Sequence, residues 1–282
     1  FEATSDPARE ATPEGGDGNN PAGAGGVGGF NAFYIDPGNH VTEVDGKIRT
    51  SIIYDPPNGR QPAISEDAQE RMAIRYKSFR HENTGTASWL DEEGDGPFDG
   101  PETLAPSERC LISFGATVPT IPSLYNNFKR IIQTEDYVMI LQEMVHDARI
   151  IPIFDTPEEA RANRRPMPLE QWFGDSVGWY EGDALVIETT NIHPQQMSQS
   201  SIPITKDGRI TEKFSRYSDN EIFYQFIVED DNIYQQEWTA ELSFYASPEP
   251  WYEYACHEGN YSLPGILAGA RRLDSVLSLI HI

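Results

Sequence analysis

The chain has 282 residues and a formal net charge of −24 at pH 7. This excess of negative charge repels nucleic-acid phosphates and anionic lipid headgroups, so the sequence argues against both as partners. The sequence has no run of 18 or more apolar residues, so no membrane insertion is expected. These exclusions leave a small molecule as the expected partner, and they say nothing about oligomeric state.

Residues 1–29 are rich in glycine, proline, alanine and acidic residues, with almost no large apolar side chain. Such a segment cannot bury enough surface to offset its ordering entropy, so we predict a flexible, dispensable leader. His40 to Tyr54 is typical of a hairpin, with Asp45-Gly46 at its turn. A helix is predicted over Ser65 to Arg80, because Ser65 can cap a first turn that carries acids.

From residue 108 onward, strand patterns alternate with short turns, and a terminal helix is predicted over Leu263–Ile280. Strands are predicted over Cys110–Phe114, Phe128–Thr134, Tyr137–Phe154, Val177–Tyr180, Ala184–Thr190, Ile210–Tyr217, Glu221–Val228, Glu237–Tyr245 and Trp251–Cys256. Hairpins at short spacing, with helices only at the margins, predict a mainly β fold. The specific expectation is a closed or nearly closed antiparallel β-barrel with a few peripheral helices.

The domain organisation predicted from these patterns has three parts. Residues 30–272 form a single β-barrel domain that follows the leader. The last residues, VLSLIHI, look like translated adapter sequence, so residues 273–282 are expected to be a non-native tail.

The stretch Tyr137–Phe154 is the longest apolar run, yet its middle carries Glu143, His146, Asp147 and Arg149. A buried charge must be paired or neutralised, so this cluster requires an explanation. In an unbroken strand, Glu143, Asp147 and Arg149 share one face, while Gln142, Met144 and His146 share the other. The first interpretation is a polar site inside the barrel. The alternative is a structural salt bridge from Arg149 to Glu143 or Asp147.

A second cluster, Cys256-His257-Glu258-Gly259-Asn260, follows the last predicted strand. His257 could act as a general base or metal ligand, with Glu258 as an acid or orienting group. Alternatively, Glu258 or Asn260 caps the terminal helix. Our central hypothesis is that the two clusters meet, with the imidazoles of His146 and His257 within about 10 Å of a shared cavity.

Several longer motifs resemble a family of uncharacterised exported bacterial proteins of environmental, especially acidobacterial, type. The motifs are SERC, LYNNFKRIIQT, EMVHDARIIP, QWFGDSVGWYEGDALVIETTNI, WTAE and YEYACHEGNY, and the match runs from about Thr50 to Arg271. The resemblance implies an antiparallel, lipocalin-like (calycin-type) β-barrel and a periplasmic or secreted location, but no activity. The opening strand typical of the family is absent here. In an exported protein, Cys110 and Cys256 are expected to form a disulfide, whereas in the cytosol they would stay free thiols.

Three functional hypotheses remain open. The first is a cofactor-free exported enzyme of hydrolase or lyase type, acting by acid–base chemistry on a small polar or aromatic molecule such as a glycoside. The second is a lipocalin-like binding protein without chemistry. The third is a metal-dependent enzyme that holds a transition metal with His146, His257 and a carboxylate.

The predicted catalytic residues are His146, Asp147, His257 and Glu258, and the predicted substrate-binding residues are Tyr125, Asn126, Glu143, Arg149 and Asn260. A stripe of aromatic residues is predicted to lie mostly in the barrel core, with a minority stacking on the ligand. It comprises Tyr217, Tyr224, Tyr234, Trp238, Tyr245, Trp251, Tyr252 and Tyr254.

Overall fold

In the computed structural model, twelve ranges of the chain are described. They are residues 43–44, 47–70, 100–101, 104–113, 117–123, 126–145, 147–166, 169, 171–193, 195–196, 202–248 and 250–280. The predicted leader lies outside these ranges, and so do residues 71–80 of the first predicted helix. Two predicted site residues, Tyr125 and His146, also lie outside them.

The described chain is mainly β, with antiparallel sheets and few helices. Its helices are α1 (Pro157–Ala162), α2 (Cys256–Gly259) and α3 (Ser262–Ile280), and residues 66–70 at the start of the first predicted helix are helical too. Its strands are β1 (Glu43–Val44), β2 (Lys47–Ile48), β3 (Ile53–Asp55), β4 (Lys129–Gln133), β5 (Tyr137–Gln142), β6 (Ala148–Pro152), β7 (Asp175–Glu181), β8 (Ala184–Thr190), β9 (Arg209–Arg216), β10 (Glu221–Glu229) and β11 (Trp238–Tyr245). This confirms the predicted fold class at that level, and the predicted terminal helix matches α3. No described helix is long and apolar enough to cross a membrane.

The strands form three sheets. Six lie in the order β3-β11-β10-β9-β8-β7, three in the order β4-β5-β6, and β1 pairs with β2. A parallel bridge between Ile153 and Gly178 connects the end of β6 to β7, and the Phe154 amide donates to the Gly178 carbonyl at 2.9 Å. Among the described strands, β3 pairs only with β11 and β4 only with β5, so no pairing closes a barrel.

One hydrophobic core lies between the two larger sheets. Val138, Ile140 and Ile151 of the three-stranded sheet belong to the same buried cluster as Ile187 and Phe226 of the six-stranded sheet. Because side chains alternate along a strand, each sheet turns one face towards this core. The core face therefore also determines which polar residues of each strand are buried.

The aromatic stripe divides between core and surface. Tyr224, Tyr234 and Trp238 are buried. Tyr217 and Tyr245, in contrast, are exposed over about half or more of their surface, at 62% and 53%. The prediction that the stripe is mostly core is therefore wrong for these two tyrosines, which lie at strand ends where the sheet meets solvent.

Two predicted strands are absent from the described structure. Residues 110–113 form a turn and bends in place of the predicted strand Cys110–Phe114, and Cys110 itself has φ of 56°, outside the strand region. Residues 251–255 form no ladder, and Cys256 begins α2, where the Gly259 amide donates to the Ala255 carbonyl at 3.2 Å. The disulfide between Cys110 and Cys256 joins these two segments, so a covalent cross-link fixes them where strand pairing was predicted.

Candidate functional site

The central stretch is a hairpin and not one strand. β5 ends at Gln142, β6 begins at Ala148, and the chain reverses through Val145, whose φ is 55°. Leu141 pairs with Ala148 and Ile140 with Arg149. Residues opposite each other in a ladder share a face, so Gln142 lies on the same face as Arg149. The predicted division of this stretch into two faces is therefore wrong.

Arg149 forms a buried ion pair with Glu212 of β9. Its Nη2 lies 2.6 Å from Glu212 Oε2 and its Nη1 lies 3.2 Å from Oε1, and both side chains are almost completely buried. Nη2 also donates to the hydroxyls of Ser176 and Thr189, at 3.2 and 3.1 Å. Two parallel contacts between a guanidinium and a carboxylate are stronger and more directional than one. The predicted salt-bridge partners, Glu143 and Asp147, are thus wrong, because Arg149 points across β7 and β8 to β9.

Tyr224 of β10 extends this network. Its hydroxyl donates to Glu212 Oε1 at 2.7 Å and accepts from the Thr120 amide at 3.1 Å. Burial raises the pKa of Tyr224 well above its usual value, and the charge and hydrogen bond of Glu212 raise it further. The phenol therefore stays protonated at ordinary pH and acts as a donor. The sequence predicts Tyr224 as a core residue but does not identify Glu212. The available indication was that Glu212 alternates with Ile210 and Phe214, which places an acidic residue on the buried face of the strand.

A cavity of about 310 Å³ lies beside this network. Its lining includes Asp147 and Arg149 of the first predicted cluster, with Ser176 next to the ion pair and Trp172 as a flat aromatic surface. Asp175 also lines it and accepts from the Arg165 amide at 3.1 Å. The walls therefore present charges of both signs, hydroxyl and aromatic surface, a combination suited to a small polar molecule.

Glu143 and Asn126 lie at the turn side of the same hairpin. Glu143 is buried and its Oε2 lies 3.5 Å from the Phe128 amide. The Asn126 side chain accepts from the Met144 amide at 2.8 Å, and its main-chain carbonyl accepts from Lys129 Nζ. These contacts bring two predicted binding residues to the start of β4.

Lys129 is not among the site residues predicted from the sequence. Burial lowers its pKa to about 7, and the negative charge of Glu143 acts in the opposite direction. The available signal was its alternation with Ile131, which places a lysine on an inward-facing strand position. An inward lysine of this kind is a candidate for acid–base or nucleophilic chemistry.

The C-terminal cluster is arranged around a disulfide. Cys110 and Cys256 are bonded, with Cα atoms 5.7 Å apart. His257 and Glu258 are exposed on the short helix α2. They do not follow a strand, as was predicted, and neither belongs to the cavity lining described above.

Asn260 connects this cluster to neighbouring segments. Its Oδ1 lies 3.3 Å from the Leu263 amide at the start of α3, and its Nδ2 donates to the Glu108 carbonyl at 2.8 Å. This is the capping arrangement given as the alternative interpretation. Ser113, close to Cys110, contacts Met144 Sδ at 3.9 Å. The segment that is bonded to Cys256 of the second cluster therefore also contacts the residue next to Glu143 of the first. The meeting of His146 and His257 stays a prediction, since His146 lies outside the described residues.

Within the described ranges, no group of three or more histidine, cysteine, aspartate or glutamate side chains could hold a metal ion. The chain matches no protein-family model, and neither the curated proteins nor the solved structures contain a significantly similar chain. The geometry of the cavity and its surroundings is therefore the basis for the functional argument.

Proposed function

We propose that the protein is a lipocalin-like small-molecule binding protein whose ligand occupies the cavity beside Arg149. The observation that carries this proposal is the 310 Å³ cavity itself, which Asp147 and Arg149 line from the start of β6. The bridge between Ile153 and Gly178 supports a lipocalin-like arrangement. It links the three-stranded sheet to β7, so that neighbouring strands follow one another from β4 to β3 over a common core.

The ion pair with Glu212 gives the proposed site a rigid wall. Arg149 is held by Glu212, Ser176 and Thr189, so its orientation is set before any ligand arrives. Preorganisation of this kind reduces the ordering cost of binding. Arg149 Nε is buried without a hydrogen-bond partner within the described part of the structure, so Arg149 acts on a ligand through its fixed position and charge.

The lining favours a ligand of monosaccharide or small phenol size. Ligand cavities usually have volumes of about 300 to 1,000 Å³, so this one is small. Trp172 offers a flat apolar surface, while Asp147 and Gln171 can accept or donate hydrogen bonds. A sugar derivative or glycoside combines such a flat apolar face with several hydroxyls.

A second candidate function is acid–base catalysis on the same ligand, as in a hydrolase or lyase. The observation that favours it is the presence of Asp147, a predicted acid, in the cavity lining. A carboxyl group in a partly desolvated cavity can exchange a proton with a bound substrate. The binding proposal does not depend on this step.

The test is a calorimetric titration of the full chain with monosaccharides, methyl glycosides and phenyl glycosides. For a panel member that binds, Asp147→Asn should weaken binding by roughly 10- to 100-fold, because a hydrogen bond to a charged group contributes about 1.5–3 kcal/mol. Asp155→Asn is the matched control, since Asp155 is an exposed carboxylate that follows β6 and lies outside the cavity lining. The control should bind like the unmodified protein.

Product analysis of the same mixtures separates the two candidate functions. Release of phenol or methanol by the unmodified protein, lost in Asp147→Asn but kept in Asp155→Asn, would establish catalysis. Binding without product release would establish the carrier function. Equal affinities for both variants would show that the ligand does not use this cavity.

A further inference from the structure

Lys129 lies at the start of β4, on the face that points into the molecule. It is directly opposite Gln142 in the ladder, and Ile131 and Ile140 form the next pair on that face. The ammonium group donates to the Asn126 carbonyl, and the side chain is only partly exposed. An amine, two amides and the carboxylate of Glu143 therefore gather at one end of the three-stranded sheet.

Two of these groups have unused hydrogen-bonding capacity. Gln142 is 1% exposed, and neither its Oε1 nor its Nε2 has a partner in the described structure. Asn126 is also 1% exposed, and its Nδ2 likewise has no partner there. Leaving a buried polar group unsatisfied is costly, and native interiors rarely do so. Three such atoms beside one amine indicate a place for a guest molecule that carries oxygen atoms.

The chemistry of the Lys129 amine indicates which class of small molecule could occupy this place. With its pKa lowered to about 7, Lys129 is largely neutral at slightly alkaline pH. A neutral amine in a desolvated site is a nucleophile towards carbonyl carbon. The negative charge of Glu143 also acts on the amine, so Glu143 is the candidate proton relay for such a reaction.

We propose that Lys129 forms an imine with a small hydroxylated aldehyde or ketone, whose hydroxyls hydrogen-bond to Gln142 and Asn126. The Nζ lone pair attacks the carbonyl carbon to form a C–N bond, giving a carbinolamine. The former carbonyl oxygen then leaves as water, carrying the two protons that the neutral amine gives up, with Glu143 relaying them. No oxidant or reductant is required. This inference goes beyond the proposed function and does not rest on ligand binding in the Arg149 cavity.

The test traps the imine. The full chain is incubated with glycolaldehyde at pH 7.5 in the presence of cyanoborohydride, which reduces an imine to a stable secondary amine, and the adducts are mapped by peptide mass spectrometry. Lys206, which is exposed, and Lys213, whose side chain is 41% exposed, serve as internal references. An ordinary lysine has a pKa near 10.4, so only about one in a thousand is neutral at this pH. Lys129 should therefore be modified at least about 10-fold faster than either reference.

Three variants test the assignment to Lys129 and the role of Gln142. Lys129→Met should remove the fast adduct, whereas Lys213→Met should leave it unchanged. Gln142→Leu should reduce the preference of Lys129 for glycolaldehyde over propionaldehyde, which lacks the hydroxyl. The proposal would be overturned if Lys129 were labelled at the same rate as Lys206 and Lys213, or more slowly. Both outcomes are measured on the unmodified chain and need no variant.

Discussion

Glu212 determines the chemistry that is open to Arg149. Two contacts to this carboxylate and two to hydroxyls hold the guanidinium in place, and its Nε is buried. Its positive charge is largely compensated, so it suits a neutral ligand oxygen better than a full anion. A buried pair of this kind adds little net stability compared with apolar residues, but removing one partner leaves an uncompensated buried charge.

Arg149→Met should therefore lower the free energy of unfolding by about 3–5 kcal/mol, because Glu212 then stays buried without its partner. The matched control is Arg209→Met. Arg209 pairs with Glu229 at 2.5 Å, but the arginine side chain is 45% exposed, so its loss should cost about 1 kcal/mol or less. Urea denaturation followed by tryptophan fluorescence measures both changes. Similar losses in the two variants would show that burial of the Arg149 pair adds nothing.

At the scale of elements, two turns on either side of β7 use glycine for different reasons. Gly174 has φ of 72°, and a Cβ placed there would lie 2.5 Å from the Thr190 carbonyl oxygen. Gly182, in the turn between β7 and β8, has φ of 62° but no atom within 4 Å of such a Cβ. Both need a left-handed backbone, whereas only Gly174 needs the space of the missing side chain.

Gly182→Ala should consequently cost about 1–2 kcal/mol, the strain of a left-handed backbone for an ordinary residue. Gly174→Ala should cost clearly more, because the methyl group also collides with main-chain atoms of β8. Gly174 lines the cavity, so this variant should weaken ligand binding as well. Thermal melts of the two variants side by side make the comparison. Equal losses would mean that the loop before β7 can move away from Thr190.

Local patterns predicted the hairpins well, because turn residues and alternation act over a few residues. The predicted strands Ile210–Tyr217, Glu221–Val228 and Glu237–Tyr245 correspond to β9, β10 and β11. The same patterns failed at Tyr137–Phe154, because the apolar residues on both sides of residues 143–147 continue a strand pattern although the chain reverses there. They also could not find Glu212, since its partner is 63 positions away and no local spacing relates the two.

At the scale of the whole molecule, the disulfide replaces sheet pairing for both segments it joins. Replacing Cys110 and Cys256 together by serine should lower the free energy of unfolding by about 4–5 kcal/mol in the chain-entropy model, because the bond spans 146 positions. Thermal melts of this double variant and of the unmodified protein with and without reductant provide the measurement. Two free thiols in the unmodified, unreduced protein would contradict the pairing outright.

The same bond turns most of the chain into a covalent ring. All strands from β4 to β11 lie between the two cysteines, together with α1, while β3 reaches its partner β11 from outside. A single peptide-bond cut inside the ring therefore opens a loop but releases no fragment. A nicked molecule keeps its mass apart from one added water, migrates as one chain without reductant, and retains the strands that position the cavity. In a medium rich in proteases, such a protein survives a first cut as one molecule.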